Sequence, residues 1–201
     1  MRTLPALLLA ASLGLFACNN NKTKDVTLVS PDGNTKVSLD PTVTENQADE
    51  MTRKMEELKK LTPLTTDQLK AMLPEQLMGL PRTNFNATNA MGWGSATASY
   101  RNEGEDKEID ISIFDCAGEA GAGIYSLNYW MKMSVVTEDQ NGYSKTVDFN
   151  GGKAVEGYNK NSDEHELTFT SGDRLLVTVK GRKTGLDAVK QAAASLPLAV
   201  K

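Results

Sequence analysis

Residues 107–114 carry the pattern that most limits how this chain can fold. Ile109, Ile111 and Ile113 alternate with Glu108, Asp110 and Ser112. Successive side chains of a strand point to opposite faces, so a period of two predicts a strand with one face buried and one wet. Ala96, Ala98 and Tyr100 repeat the pattern over residues 95–100, and the polar stretch 102–106 turns the chain between them. The pair reads as an antiparallel hairpin. Four more strands are expected at 146–149, 153–158, 165–170 and 174–180. Turns at 151–152, 159–163 and 171–173 separate them, and Leu167 and Phe169 of one strand face Leu175, Val177 and Val179 of the next.

Other stretches carry helical spacing. Ala48, Met51, Met55 and Leu58 fall three and four apart over residues 46–61, with Glu56 and Lys60 as an i,i+4 pair. Pro63 stops that helix. Residues 66–73 form a second, capped by Thr65 or Thr66, with Leu69, Met72 and Leu73 inward and Pro74 at its end. The main helix is expected over 117–133, where Ala120, Ile124, Leu127 and Met131 make a stripe flanked by Trp130. A last helix, 186–196, turns Leu186, Val189, Ala193 and Leu196 inward. Near the N-terminus, two short alternating runs flank Pro31-Asp32-Gly33-Asn34, a hairpin signal over residues 26–39.

This order predicts an α+β fold, a twisted antiparallel sheet of about six strands packed with helices. From the element order and the stretch running from Gly151-Gly152 to Gly172-Asp173-Arg174, the layout is similar to that of the PsbP/Mog1-like proteins. That resemblance implies a role in assembly or partner binding, since the family is mostly non-enzymatic.

Residues 1–18 set a second constraint. Arg2 precedes an apolar run over residues 4–17, which ends Leu15-Phe16-Ala17-Cys18 and gives way to three asparagines. About 14 apolar residues are too few to span a bilayer, which takes roughly 20, but they suit the core of a secretory signal. The ending resembles the lipobox of bacterial lipoproteins, with Phe16 larger than that position usually holds. The resemblance implies cleavage between Ala17 and Cys18 and diacylglyceryl transfer to the Cys18 thiol. Asn19 is not the aspartate of the inner-membrane retention signal, so the implied location is the outer membrane, facing the periplasm unless the domain is exported to the surface. The predicted organisation is a signal peptide at 1–17, a polar tether at 18–25, a hairpin and amphipathic helix at 26–61, and the α+β domain at 62–201.

Composition narrows the chemistry. The 201 residues carry a net charge of −4, and residues 1–17 hold only Arg2 among charged side chains, which leaves −5 without them. An acidic, interspersed charge pattern argues against nucleic-acid partners. With Cys18 lipidated, Cys116 stands alone and is expected to be a buried hydrophobe. His165 is the only histidine, which excludes a His-rich metal site and leaves one residue to act as base for any cysteine or serine nucleophile. The glycines at 118, 121 and 123 follow a strand but match neither dinucleotide nor phosphate-loop spacing. They predict close helix–sheet packing, with Asp115 as a helix cap. No catalytic residues, no metal ligands and no cofactor are assigned. The candidate binding surface consists of Trp93, Tyr125, Tyr129 and Trp130, aromatics that could bury a partner's side chain or stack on a sugar. The expectation is a non-catalytic binding or assembly module held to the membrane by acyl chains and meeting an envelope protein. The alternative is a small-ligand binder with a pocket between sheet and main helix, roofed by the Trp93 loop.

Overall fold

The computed structural model describes residues 26–29, 36–39, 45–127 and 135–199. Eleven strands lie in one sheet: β1 Val26–Val29, β2 Lys36–Leu39, β3 Gln76–Leu77, β4 Leu80–Thr88, β5 Gly94–Tyr100, β6 Glu108–Asp115, β7 Val135–Asp139, β8 Gly142–Phe149, β9 Gly152–Asn159, β10 Glu164–Ser171 and β11 Leu175–Arg182. Their order across the sheet is β1-β2-β7-β8-β9-β10-β11-β6-β5-β4-β3. Every pairing is antiparallel. Four short helices accompany it: α1 Glu45–Lys59, α2 Thr66–Ala71, α3 Gly118–Leu127 and α4 Leu186–Ser195.

This corrects the six-strand α+β layout and, with it, the PsbP/Mog1-like expectation. The fold is dominated by one large sheet, and the helices are short additions to it. Besides the two-residue β3, the strands missed are β4 and β7, each for a local reason. In β4 the apolar Phe85 and Ala87 sit among Thr and Asn, with Pro81 at the start. β7 reads Val-Val-Thr-Glu-Asp, which has no buried stripe because it lies in the outer part of the sheet. The hairpin β1–β2 forms in the expected place, pairing Val26 with Leu39, and β2 then joins the sheet through β7.

The alternation governs the core. Ile109, Ile111 and Ile113 are at most 2% exposed, and Leu167, Leu175, Val177 and Val179 are fully buried on the same face. Complete burial of such a side chain contributes roughly 2 kcal/mol. α4 covers this face over β10 and β11 with Val189, Ala192 and Ala193, and α2 covers it over β5 with Leu69. α2 carries a full capping box, in which Thr65 Oγ1 accepts from the Gln68 amide and the Gln68 side chain accepts from the Thr65 amide. The Tyr100 hydroxyl donates to the Pro74 carbonyl, tying the end of the α2 segment to β5. On the other face α1 and α3 pack together over Phe114 and Leu176. α1 ends at Lys59, and Glu56 pairs with that residue rather than with Lys60.

Candidate functional site

At the end of β6 several hydrogen bonds converge on one side chain. Asp115 is completely buried there. The Arg174 guanidinium grips it with both arms, Nε to Oδ1 at 2.7 Å and Nη2 to Oδ2 at 2.9 Å. The Leu64 amide donates to Oδ2 at 2.6 Å and the Ala117 amide to Oδ1 at 3.1 Å. Arg174 Nη2 also donates to the Thr62 carbonyl. Asp115 does accept an amide just ahead of α3, as a cap would, but its larger role is to bind three segments at one point: the α1–α2 link, the end of β6 and the start of β11. A bidentate Arg–carboxylate pair fixes geometry as well as charge.

The glycine stretch that follows is a packing device. Gly118 has φ +81°, and a Cβ there would lie 2.8 Å from the Gly92 carbonyl oxygen. A Cβ on Gly121 would lie 2.7 Å from the Cys116 carbonyl carbon. Absent side chains therefore let α3 settle directly on the loops at the end of β6. Cys116 is 1% exposed, and burial, reinforced by the Asp115 carboxylate, pushes its thiol up to about 12. A thiol held protonated is a poor nucleophile. His165 lies far off: it pairs with Gly181 while Asp115 pairs with Leu175, six residues along β11, or ~20 Å. The only histidine and the buried cysteine are not brought together.

The four aromatics of the candidate surface fare differently. Trp93, half-buried, stacks on Phe114 at 4.7 Å between ring centres and 20° between planes. Tyr125 is 5% exposed and packs with Leu58, Cys116 and Ala122 between α1 and α3. Tyr129 and Trp130 lie outside the described residues, as do Ala17 and Cys18. Three described clefts lie away from these aromatics, one of them, of about 230 Å³, at the β7–β8 turn beside Tyr143 and Tyr158. A second, of about 390 Å³, sits between the C-terminal end of α4 and the turns after β8 and β10, with Phe149, Phe169 and Leu196 in its lining. The third, of about 140 Å³, lies on the open sheet face over Thr97, Asp110, Ser112, Thr178 and Lys180.

Sequence reasoning missed a charged cluster on the helix-covered face. Glu156 of β9 is 2% exposed, with Lys145 of β8 at 2.9 Å from Oε1 and Lys190 of α4 at 2.8 Å from Oε2. Burial acts to raise its carboxyl, yet the hydrogen bonds and charges of the two lysines outweigh that and hold it below the usual range. The signal was present in the alternation, because Glu156 shares its face with buried Ala154. Beside it the His165 ring stacks on Tyr158 at 4.4 Å, with Nδ1 buried and without a hydrogen-bond partner. The opposite face is charge-balanced, with rows Asp110–Lys180–Glu166 and Glu108–Arg182–Glu164 alternating in sign across β6, β11 and β10.

Among the described residues no three His, Cys, Asp or Glu side chains group to hold a metal ion, and no helix is long and apolar enough to cross a membrane. Comparison with protein families, with curated proteins and with solved structures found no match.

Proposed function

We propose that the chain is a lipid-anchored envelope lipoprotein whose sheet domain serves as a non-catalytic binding or assembly module, at the outer membrane and facing the periplasm. The observation that carries this reading is Cys18, set at the abrupt end of a 14-residue apolar run and preceded by Leu15 and Ala17. Each acyl methylene buried in a bilayer contributes about 0.8 kcal/mol, and one chain alone holds only marginally. Two or three chains on one cysteine would anchor the domain stably. The fold supports this reading, since β1, the first described strand, stands at one edge of the sheet, so the chain before it can leave without crossing the domain. The buried, protonated Cys116 leaves Cys18 as the thiol suited to modification. The partner is proposed to be another envelope protein.

Metabolic labelling with palmitate tests the anchor. The wild-type chain should incorporate label and partition into detergent, and Cys18→Ala should do neither. Equal labelling of the two would refute the lipoprotein reading. A second reading, a small-ligand binder, draws support from the cleft beside Phe149 and Phe169, whose volume of about 390 Å³ is within the range of ligand pockets.

A further inference from the structure

One edge of the sheet is left open. β3 covers only the beginning of β4, pairing Gln76 with Pro81 and Leu77 with Leu80, and the Arg82 amide donates to the Glu75 carbonyl. Beyond the bulge between Arg82 and Asn84, residues 84–88 pair with β5 on one side and with no described strand on the other. After Thr88 the chain leaves strand geometry at Asn89 and turns through Ala90–Gly92. The open stretch is therefore five residues long, with Asn86 at its centre.

An unpaired strand edge offers a row of backbone donors and acceptors to another strand. Proteins usually blunt such edges with lysine, proline or inward-pointing charge. Asn84, Phe85, Asn86, Ala87 and Thr88 contain none of these. Phe85 and Ala87 pack against the core on the helix-covered face, and Asn84 and Asn86 are exposed on the other.

We propose that this edge pairs with the same edge of a second copy of the chain, antiparallel about a twofold axis at Asn86. Three features favour a second copy over another strand. A twofold at the midpoint sets Phe85 opposite the partner's Ala87, a large residue against a small one on the covered face. It sets Asn84 opposite the partner's Thr88, two polar groups on the wet face. The stretch is also uncharged in a chain of net charge −4, so two copies meet without opposing like charges in the ladder. At each end the ladder is bounded by β3 of one copy and the Ala90–Gly92 turn of the other. An interface of this kind is isologous and closes at two copies. It goes beyond the anchoring role and does not rest on it.

Cysteine cross-linking of the full chain in detergent tests the register. In Asn86→Cys the two sulfurs face each other across the axis, where opposed residues of antiparallel strands have Cα atoms about 4.5–5.5 Å apart, within disulfide reach. Under mild oxidation it should give a band at twice the chain mass. Asn84→Cys alone should stay monomeric, and mixing it with Thr88→Cys should restore the dimer. Thr27→Cys, on the opposite edge, reports random collision, and wild type reports any contribution from Cys18 or Cys116. No Asn86→Cys dimer, or equal dimer from Asn84→Cys or Thr27→Cys, would overturn the proposal. Cross-linking of Asn86→Cys to a chain of a different mass would overturn it in favour of a foreign strand.

Discussion

Replacing Arg174 with alanine should cost about 3 kcal/mol of stability. The magnitude follows from what the change leaves behind. Asp115 is completely buried and would lose two charge-assisted hydrogen bonds and its one counter-ion among the described residues, keeping the amides of Leu64 and Ala117. Removing one member of a buried ion pair typically costs about 3–5 kcal/mol, because the other charge stays desolvated. The Arg174 side chain is 14% exposed, so water can reach into the vacated space, and the lower end of that range applies. Each kcal/mol lowers Tm by about 2–4 °C in a domain of this size, which gives a drop of roughly 10 °C. Urea and thermal unfolding of the full chain, followed by far-ultraviolet circular dichroism, would measure it. Arg174→Lys should fall in between, since lysine keeps the charge but not the two-armed grip. Adding Asp115→Asn to Arg174→Ala should cost less than the sum of the single changes, by at least about 1 kcal/mol. A loss below about 1 kcal/mol for Arg174→Ala, the range of an exposed pair, would refute the reasoning.

Three further outcomes follow from the geometry. The Glu156 carboxyl is held below its usual value, so its stabilising effect is present above the unfolded carboxyl value and fades as pH falls through the folded one. Wild-type urea midpoints should therefore drop more steeply from about pH 6 to about pH 3 than those of Glu156→Gln, and parallel curves would contradict this. Cys116, with its thiol pushed up to about 12, should resist iodoacetamide at about pH 8 in the folded chain and react in urea, as peptide mass spectrometry would show; fast labelling of the folded chain would contradict its burial. Gly181→Ala would bring a Cβ 2.2 Å from Thr184 Oγ1 and 2.5 Å from Val189 Cγ2, displacing the start of α4. It should destabilise by about 1–3 kcal/mol, whereas Gly157→Ala, with only an ordinary 3.5 Å contact to the Tyr143 carbonyl oxygen, should be close to neutral, as urea unfolding of the two variants would show.

What could be read from the sequence was the portion fixed by local periodicity. Ile109, Ile111 and Ile113 announce their strand because one face is buried and the other is not, and the same holds for Leu167 and Phe169 facing Val177 and Val179. Thr65 and Gln68 announce a helix start by mutual capping. β4 carries only a short alternation, Phe85 and Ala87 against Asn84 and Asn86, and β7 carries none; passing over these two and the two-residue β3 narrowed the expected sheet. The site-level features depend on topology. Asp115 and Arg174 are 59 positions apart, and only the pairing of β6 with β11 brings them together. The two lysines around Glu156 come from a neighbouring strand and from α4, so its burial depends on partners that its own segment does not contain.

The strand order has a mechanical corollary. Nearly every neighbour in the sheet is also a neighbour along the chain, and the exceptions are two seams, β11 with β6 and β2 with β7. A pull applied through residue 26 acts on the outermost strand, so bonds would break in succession, as in a zipper, at low force. Once β1 and β2 had peeled from β7, the same pull would pass through α1 to the α1–α2 link, where the Thr62 carbonyl and the Leu64 amide are held by the Asp115–Arg174 clasp, before it reached β3 at the other edge of the sheet.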